Sequence, residues 1–408
     1  MSPPGTMLEP QSVAQASRSF RWFLGCTFVS ALGRNGYHIA CAWLLVAQGH
    51  GAAAVAAFFA IISVTELVAS PLAGWISDRY DRRLLCVAAD VVRFAGALTL
   101  GALLLVADPL WASWLSATVF AICDRTALTS SQAMIPTVGV GLSPATANSI
   151  VFFLMQSGSL AAAVLTGTLL HVTTPTYTFA ALAVAFLLSV CFLLAVRREV
   201  PPRNGVTAEH GSTLALDAPL LQLGVLYAFL YTGGVVVSVI GPSFVFDELA
   251  GNAIDFGYLE SAWSAGSILG ALLLIPLSRV LGMSMLQSVL LVLTAFSFAS
   301  LKALELPWSL LAFAVLGALH NLGRVAIEVM LQSFVPRTAL GRAKGALHSV
   351  GVALGVILFG VVAAVGDEVR PSTIFLAFAI VLAAGTVTLA MFRLVGKLDT
   401  VGDDQREL

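Results

Sequence analysis

Eight charged residues lie inside long apolar segments of the sequence, where a charge is costly. They are four arginines and four carboxylates: Arg34, Arg93, Arg125, Arg324, Glu66, Asp90, Asp124 and Glu328. A charge at the centre of a bilayer costs at least roughly 2.5–3.5 kcal/mol, so each side chain should face a partner or a water-filled cavity. A carboxylate removed from water and without a cation beside it favours its protonated form. Asp124, Glu328 and Glu66 are therefore candidates for a proton-coupling site.

Three pairs of these charges have positions that allow ion pairs instead. They are Arg324 with Glu328, Asp90 with Arg93, and Arg34 with Glu66. The first two pairs are four and three residues apart, so each would share one face of a helix. The third pair would lie at similar depth on neighbouring helices. We expect Asp90 and Arg93, together with Arg342, to form a charge network that supports a loop near the membrane surface.

The composition indicates what surrounds these charges. Of the 408 residues, 58% are hydrophobic and only 11% are charged, whereas soluble domains carry about 25% charged residues. Lipid must therefore be the solvent over most of the surface. The net charge of −1 offers no basic face for nucleic acid. The five cysteines lie in or beside apolar segments without a Cys-x-x-Cys pair, which is typical of core residues rather than of disulfides or a metal site.

The apolar segments are long enough to cross a bilayer, which requires roughly 20 apolar residues per helix. Six of them precede residue 197, at about 20–47, 52–76, 83–106, 110–131, 147–170 and 176–196. Six more follow residue 218, at about 219–246, 256–278, 281–303, 307–333, 343–365 and 371–395. We expect an all-α membrane protein of twelve transmembrane helices. It would have two six-helix halves, residues 1–196 and 219–408, joined by a polar cytoplasmic linker, 197–218.

The lysines and arginines orient these helices. With the N-terminus inside, fifteen of them fall in cytoplasmic segments, and only Lys302 and Arg370 fall on the other side. Positive charge is concentrated on the cytoplasmic side of membrane proteins. The sequence therefore predicts a multi-pass protein of a bacterial inner (plasma) membrane with both termini in the cytoplasm.

The two halves share features at an offset of 200 residues. The matches are Arg79 with Arg279, Gln132-x-x-x-Pro136 with Gln332-x-x-x-Pro336, Ser149 with Ser349, and Gly33 with Gly233. Repeated halves are typical of secondary transporters, whose substrate site lies near the membrane midplane between the repeats. Weak hydropathy symmetry, common in twelve-helix proteins, is the alternative explanation.

The segment after the second predicted helix carries the strongest local motif. It reads Gly74-Trp75-Ile76-Ser77-Asp78-Arg79-Tyr80-Asp81-Arg82-Arg83. A glycine allows close approach of a neighbouring helix, while Asp78 can cap a helix N-terminus and the arginines can pair with carboxylates. This segment resembles the loop signature of the major facilitator superfamily at Gly74, Asp78, Arg79, Arg82 and Arg83. Asp81 replaces a glycine that many members have.

Two further motifs point to one branch of that superfamily. They are Ala88-Ala89-Asp90-Val91-Val92-Arg93 and Gln132-Ala133-Met134-Ile135-Pro136. Together with Asp81 they resemble the branch that contains macrolide-efflux and enterobactin exporters. The fifth helix lacks the Gly-Pro pair that many antiporters of the superfamily carry, which counts against proton antiport.

The resemblance implies that helices one, four, seven and ten line a central cavity and that the charged loop holds the cytoplasmic side closed. The cavity candidates are Arg34, Tyr37, Arg125, Tyr227, Tyr231 and Arg324. Arginines suit anionic groups, and tyrosines offer aromatic walls for an amphipathic molecule. Aromatic residues in membrane helices are more often interface anchors or packing residues.

We therefore expect a proton-coupled secondary transporter that exports small amphipathic organic molecules, a drug or a siderophore, by alternating access. The alternatives are an uncoupled facilitator or a lipid flippase. The expected partners are the small-molecule substrate, protons and the bilayer, and the protein should be a monomer.

The sequence has no Walker-type phosphate loop, no appended soluble domain and no catalytic cluster. We expect no enzyme activity, cofactor, nucleotide, nucleic acid or metal.

Gly266-x-x-x-Gly270 and Gly351-x-x-x-Gly355 are close-packing motifs.

Overall fold

A computed structural model of the chain describes residues 10–106, 108–197, 218–281, 283–335 and 340–404. The described residues form twelve α-helices, a five-residue π-helical segment and no β-strand. The helices are α1 (Pro10–Ala47), α2 (Gly51–Arg79), α3 (Arg82–Leu103), α4 (Pro109–Val138), α5 (Pro144–Val172), α6 (Pro175–Ala195), α7 (Ala218–Ser243), α8 (Ala253–Leu281), α9 (Met283–Ser300), α10 (Trp308–Phe334), α11 (Leu340–Val365) and α12 (Pro371–Asp404). The predicted all-helical fold is confirmed over these residues. The predicted linker lies almost wholly outside them.

Several helices begin where the sequence provides a cap. The Asp108 and Ser143 side chains accept hydrogen bonds from the backbone N–H groups of Leu110 and Thr146, which satisfies donors at the starts of α4 and α5. Prolines follow both caps, at a position where a missing N–H costs nothing. These connections between helices are short, so long apolar helices follow one another with little polar chain between them.

The π-helical segment, Phe244–Glu248, is an element that the sequence analysis did not anticipate. It follows Pro242, which lies inside the last turn of α7. Proline has no N–H and its ring crowds the preceding turn, so the regular hydrogen-bond ladder is interrupted there. Ala250 then adopts a positive φ of 50° and the chain turns toward α8.

Eight of the helices in the described ranges are long and apolar enough to cross a membrane. They belong to α2, α3, α5, α6, α7, α10, α11 and α12. Two helices outside this group, α1 and α4, carry polar side chains in the middle of their apolar runs. Arg34, Asn35 and His38 interrupt α1, and Asp124 and Arg125 interrupt α4. These interruptions lower the hydropathy of α1 and α4, so the two helices combine membrane length with unusual internal polarity.

Contacts between residues divide the chain into two compact units. Unit 1 takes the described residues within Met1–His50, Ala57–Ala208 and Ala253–Ser261, and unit 2 takes those within Gly51–Ala56, Glu209–Asn252 and Ala262–Leu408. In unit 1, α1 packs on α4, α5 and α6, and α3 packs on α4 and α6. In unit 2, α7 packs on α10, α11 and α12, and α9 packs on α10 and α12.

Each unit has a buried apolar core. One cluster in unit 1 joins Phe20 and Phe23 of α1 to Met134 of α4 and Leu193 of α6. A cluster in unit 2 joins Leu274 of α8 to Leu290 of α9 and Leu322 of α10. Because these side chains fix the helices side by side, polar residues between them are held in place by the packing around them.

Glycines let α8 and α10 of unit 2 approach closely. A Cβ atom on Gly266 would lie 1.8 Å from the Ala314 carbonyl oxygen, and one on Gly270 would lie 2.1 Å from the Ala318 carbonyl oxygen. The predicted close-packing role of Gly266 and Gly270 is therefore confirmed. The second predicted motif packs as well, since a Cβ on Gly351 would lie 2.8 Å from Tyr227.

We expect Gly266→Ala to destabilise unit 2 by roughly 1–3 kcal/mol, because the added methyl group overpacks a contact with rigid backbone. Gly360→Ala in α11 is the matched control, since no described atom lies within 4 Å of its Cβ position. Replacing an exposed helical glycine by alanine should leave stability unchanged or raise it by up to about 1 kcal/mol. Thermal unfolding in detergent measures the stability of both purified variants. Equal unfolding temperatures for the two variants would contradict the close contact of Gly266 with the Ala314 backbone.

Candidate functional site

Unit 1 buries a cluster of charged side chains centred on Arg93. Arg93 and Asp90 come from α3, Asp124 comes from α4, and His38 comes from α1. The exposed fractions of Arg93, Asp90 and Asp124 are 2%, 1% and 4%. Buried charges persist only when paired or hydrogen-bonded. The sequence singled out the three charged members, and the fold brings them together.

Arg93 bridges the two carboxylates. Its Nη1 lies 3.4 Å from Asp90 Oδ1 and 3.2 Å from Asp124 Oδ1. The same nitrogen donates to Ser30 Oγ at 3.4 Å, and Nη2 donates to the Cys123 carbonyl at 3.4 Å. We expected Arg93 to support the charged loop after α2. Its ion-pair and hydrogen-bond partners among the described residues lie on α1, α3 and α4 instead, so Arg93 joins three helices through the interior of the unit.

Both carboxylate oxygens of Asp90 accept hydrogen bonds. Ser189 Oγ of α6 donates to Asp90 Oδ2 at 2.5 Å, and Ser30 Oγ of α1 donates to Oδ1 at 3.5 Å. Cys26 Sγ lies 3.3 Å from Ser189 Oγ and extends this chain of polar groups. Asp90 therefore has a hydrogen-bond donor at each oxygen and the Arg93 guanidinium beside them.

Asp124 has a different environment. Both of its oxygens are buried, and neither has a hydrogen-bond partner in the part of the chain that the structure describes. Arg93 is at ion-pair distance from Oδ1 but without hydrogen-bond geometry. His38 Nε2 lies 3.8 Å from Oδ2, which is longer than a direct hydrogen bond. Asp124 therefore has one cation shared with Asp90 and no donor of its own.

His38 was not among the site residues predicted from the sequence. One signal could have identified it, since His38 follows Arg34 by four residues on α1 and so shares a helix face with a charged position. An isolated histidine in an apolar segment is otherwise indistinguishable from a packing residue. Only the crossing of α1 and α4 shows that this histidine faces Asp124.

Tyr37 is not a cavity residue in this structure, contrary to our expectation. Its exposed fraction is 0%. The ring stacks on Phe120 with centroids 3.7 Å apart, and its hydroxyl lies 2.7 Å from Ser116 Oγ. The physical reason is helix periodicity. Tyr37 is adjacent to His38 but lies about 100° around α1, so it points into the packed interface with α4.

The expected ion pair between Arg34 and Glu66 does not form within 4.0 Å among the described residues. Arg34, Glu66 and Arg125 are all half-buried. The Arg125 Nε atom is buried without a hydrogen-bond partner in the described part of the chain. Electrostatic interactions link Glu66 of α2 with Asp124, Arg34 and Arg125. Neither of these two arginines forms an ion pair with Asp124 among the described residues.

The charged loop after α2 is held by backbone contacts. Arg82 Nη1 donates to the Ala133 carbonyl at 3.1 Å, and Arg83 Nη1 donates to the Val196 carbonyl at 2.6 Å. The Arg79 guanidinium lies 3.9 Å from the centre of the Trp75 ring, a cation–π contact. The arginines thus tie the loop to the ends of α4 and α6, whereas we expected them to pair with carboxylates.

Asp81 rather than Asp78 caps a helix. The Asp81 carboxylate accepts from the backbone N–H groups of Arg83 and Leu84 at 3.0 and 3.3 Å, which starts α3. This cap accounts for an aspartate where many superfamily members have glycine. Asp78 is exposed. No described atom lies within 4 Å of a Cβ on Gly74, so the close approach expected there is absent from the described structure.

Unit 2 collects the predicted aromatic residues on α7. The Tyr227 and Tyr231 rings stack at 6.0 Å, and the Tyr227 hydroxyl lies 3.1 Å from His348 Nδ1 of α11. Glu328 pairs with Lys344 of α11, a partner that the sequence analysis did not name. Arg324 is exposed on α10, one turn before Glu328. The side chain of Arg342 lies outside the described part of the structure.

These features define a class of protein. The chain is an all-helical membrane protein that buries charged side chains, an arrangement typical of proteins that move polar solutes or protons. The sequence model of the major facilitator superfamily matches residues 23–348. The chain therefore belongs to the major facilitator superfamily, a family of membrane transporters.

Solved structures support the same fold. The nucleoside transporter NupG aligns with a TM-score of 0.72 at 15% identity, covering 92% of this chain and 99% of that chain. An auto-inhibited peptide transporter of the POT family aligns with a TM-score of 0.71 at 11% identity, covering 92% of this chain and 96% of that chain. A bacterial homologue of the iron transporter ferroportin aligns with a TM-score of 0.69 at 16% identity, covering 91% of this chain and 98% of that chain. At these identities the likeness shows the fold alone. No curated protein sequence matches the chain.

Proposed function

We propose that the protein is a secondary active transporter that exports small amphipathic organic molecules by alternating access, in exchange for protons. The observation that carries the proton coupling is Asp124, a buried carboxylate without a hydrogen-bond donor, placed between Arg93 and His38. Such a group changes its charge when it binds one proton. A transporter can use that change because only the charged form requires a nearby cation.

One proton per cycle is the stoichiometry of the proposal. Asp90 and Asp124 are two acids facing one guanidinium, that of Arg93. Arg34 and Arg125 are half-buried on α1 and α4, and neither forms an ion pair with Asp124 among the described residues. In the proposal, a proton bound at Asp124 lets Arg93 pair with Asp90 alone.

The orientation and topology follow from the distribution of charge. We propose that α1 to α12 are the twelve membrane spans, in two six-helix halves joined by the linker at 197–218. Both termini lie in the cytoplasm of a bacterial cell, and the protein works as a monomer in the inner membrane. The loop from Gly74 to Arg83 is then cytoplasmic, and its arginine contacts to α4 and α6 hold that side of unit 1 together.

The substrate class rests on the side chains of α7 and α10. Tyr227 and Tyr231 offer stacked aromatic surface. Arg324 is an exposed residue of α10, and a guanidinium suits a carboxylate or a phenolate. A molecule with one apolar face and one anionic group fits this set. The resemblance of the loop and of α3 to macrolide-efflux and enterobactin exporters supports export.

Transport by purified protein in liposomes tests the proposal. The probes are enterobactin, ethidium and carboxyfluorescein, added outside vesicles with an acidic interior. We expect at least one probe to accumulate against its own gradient as protons leave, and an uncoupler to stop that accumulation. Protein-free liposomes are the control. Equilibration without accumulation, unaffected by the uncoupler, would refute proton coupling and favour an uncoupled facilitator or a lipid flippase.

A further inference from the structure

His38 connects the buried Asp124 to a more accessible surface. The His38 side chain is 22% exposed, whereas the Asp124 side chain is 3% exposed. His38 Nε2, which faces Asp124 Oδ2 at 3.8 Å, is itself buried and has no hydrogen-bond partner. The exposed surface of His38 therefore belongs to the other atoms of its side chain. Nε2 faces the carboxylate while another part of the side chain is accessible.

Three buried polar atoms meet here without a hydrogen-bond partner among the described residues: His38 Nε2 and both oxygens of Asp124. Leaving such atoms unpaired costs free energy comparable to losing a hydrogen bond, so an orphaned buried group needs an explanation. Packing does not supply one, because an apolar residue of similar shape would avoid the cost. The separation of 3.8 Å exceeds hydrogen-bond length by only about 1 Å. A small ring rotation or one bridging water would therefore connect the two groups.

We propose that His38 is the proton relay of Asp124, a positioning residue through which the buried carboxylate gains and loses its proton. This inference rests on the proposed proton-coupled function. Imidazole suits the role because it has a nitrogen on each edge and can carry a proton on either one.

The transfer leaves the ring neutral. As a proton bonds to Nδ1 from the accessible side, the Nε2–H bond breaks and an O–H bond forms at Asp124 Oδ2. The carboxylate loses its charge and the imidazole has changed tautomer. In the return step Nε2 takes the proton from Asp124 and Nδ1 releases one. The starting tautomer is then restored, so a single histidine serves both loading and unloading.

The surroundings of His38 leave Asp124 as its only acidic neighbour among the described residues. The charged groups that act on the ring are Asp124 of α4, Arg93 of α3 and Arg34 of α1 itself. From α2 the ring meets Phe58 and Phe59, with centroids 6.3 and 6.1 Å away. The adjacent Tyr37 ring lies at 5.5 Å. No second carboxylate competes for the proton.

Infrared difference spectroscopy after a pH jump tests the relay on the purified protein, without any transport substrate. The carbonyl band of protonated Asp124 is identified by its absence in Asp124→Asn. We expect His38→Gln to slow the rise and decay of this band by roughly 10²-fold, the lower end of what a positioned proton-transfer group contributes. Free imidazole should restore much of the rate in His38→Ala. His171→Gln, an exposed histidine at the end of α5, is the control and should exchange at the wild-type rate.

The outcomes separate the relay from the proposed function. A wild-type exchange rate in His38→Gln would overturn the relay and leave Asp124 as the coupling carboxylate. Slow exchange in His38→Ala that imidazole does not restore would assign His38 a structural role and also overturn the relay. The absence of any Asp124-dependent band in the wild-type protein would overturn the proposed proton coupling itself, and the relay with it.

Discussion

Asp124→Asn is expected to abolish proton-driven accumulation of a transported probe and to leave its exchange intact. Asparagine keeps the size of the side chain and stays neutral at every pH, so it imitates the protonated carboxylate permanently. The variant should therefore still bind the probe and change conformation. It has no group that releases a proton, and the gradient can no longer drive transport.

Two assays on the same vesicles separate these effects. Accumulation driven by an acidic interior should fall to the level of protein-free liposomes. Exchange of labelled for unlabelled probe, with no pH gradient, should stay within about twofold of wild type. Asp108→Asn is the matched control, because Asp108 caps the exposed start of the same helix and asparagine caps equally well. Accumulation by Asp124→Asn at the wild-type level would remove Asp124 from the coupling mechanism.

Arg93→Met is expected to be the most destabilising single change in unit 1. Removing the guanidinium leaves Asp90 and Asp124 facing each other without a cation, and breaking a buried ion pair in this way costs roughly 3–5 kcal/mol. Methionine fills much of the space, so the loss reports charge more than volume. The double variant Arg93→Met with Asp124→Asn should recover part of this loss, since only Asp90 then needs neutralisation.

Thermal unfolding in detergent, compared across the single and double variants, measures that coupling. Arg21→Met, at an exposed position on α1, is the control and should change stability by no more than about 0.5 kcal/mol. An Arg93→Met protein as stable as wild type would mean that the two carboxylates do not depend on Arg93. A double variant no more stable than Arg93→Met would exclude Asp124 from the pair.

Much of the architecture could be predicted from the sequence, because long apolar segments admit only helices in a membrane. The close packing of Gly266 and Gly270 followed from their spacing of four, which is a local property of one helix. Asp90 and Arg93 were predicted as a pair for the same reason. The ion pair between Arg93 and Asp124 could not be predicted, because it depends on the depth at which α3 and α4 cross.

The residues that the sequence misplaced show the same limit. Tyr37 and His38 are neighbours in the chain, yet one is packed against Phe120 and the other faces Asp124. Hydropathy does not distinguish these two faces of α1, because both lie within protein. The pairing of Glu328 with Lys344 likewise joins two helices, and a pattern read along one helix does not reveal a partner on another helix. Helix periodicity predicts which residues share a face, and only tertiary packing determines what each face meets.

Proton movement driven by the transported probe alone is the measurement that decides whether Asp124 couples transport to protons. Vesicles are loaded with the probe that accumulates best and with a trapped pH-sensitive dye, then diluted into probe-free buffer at equal pH. Efflux of the probe through the wild-type protein should draw protons inward and acidify the interior. Vesicles with Asp124→Asn should not acidify, although they still exchange the probe. Probe efflux through the wild-type protein without acidification, or equal acidification by the two proteins, would contradict proton coupling at Asp124.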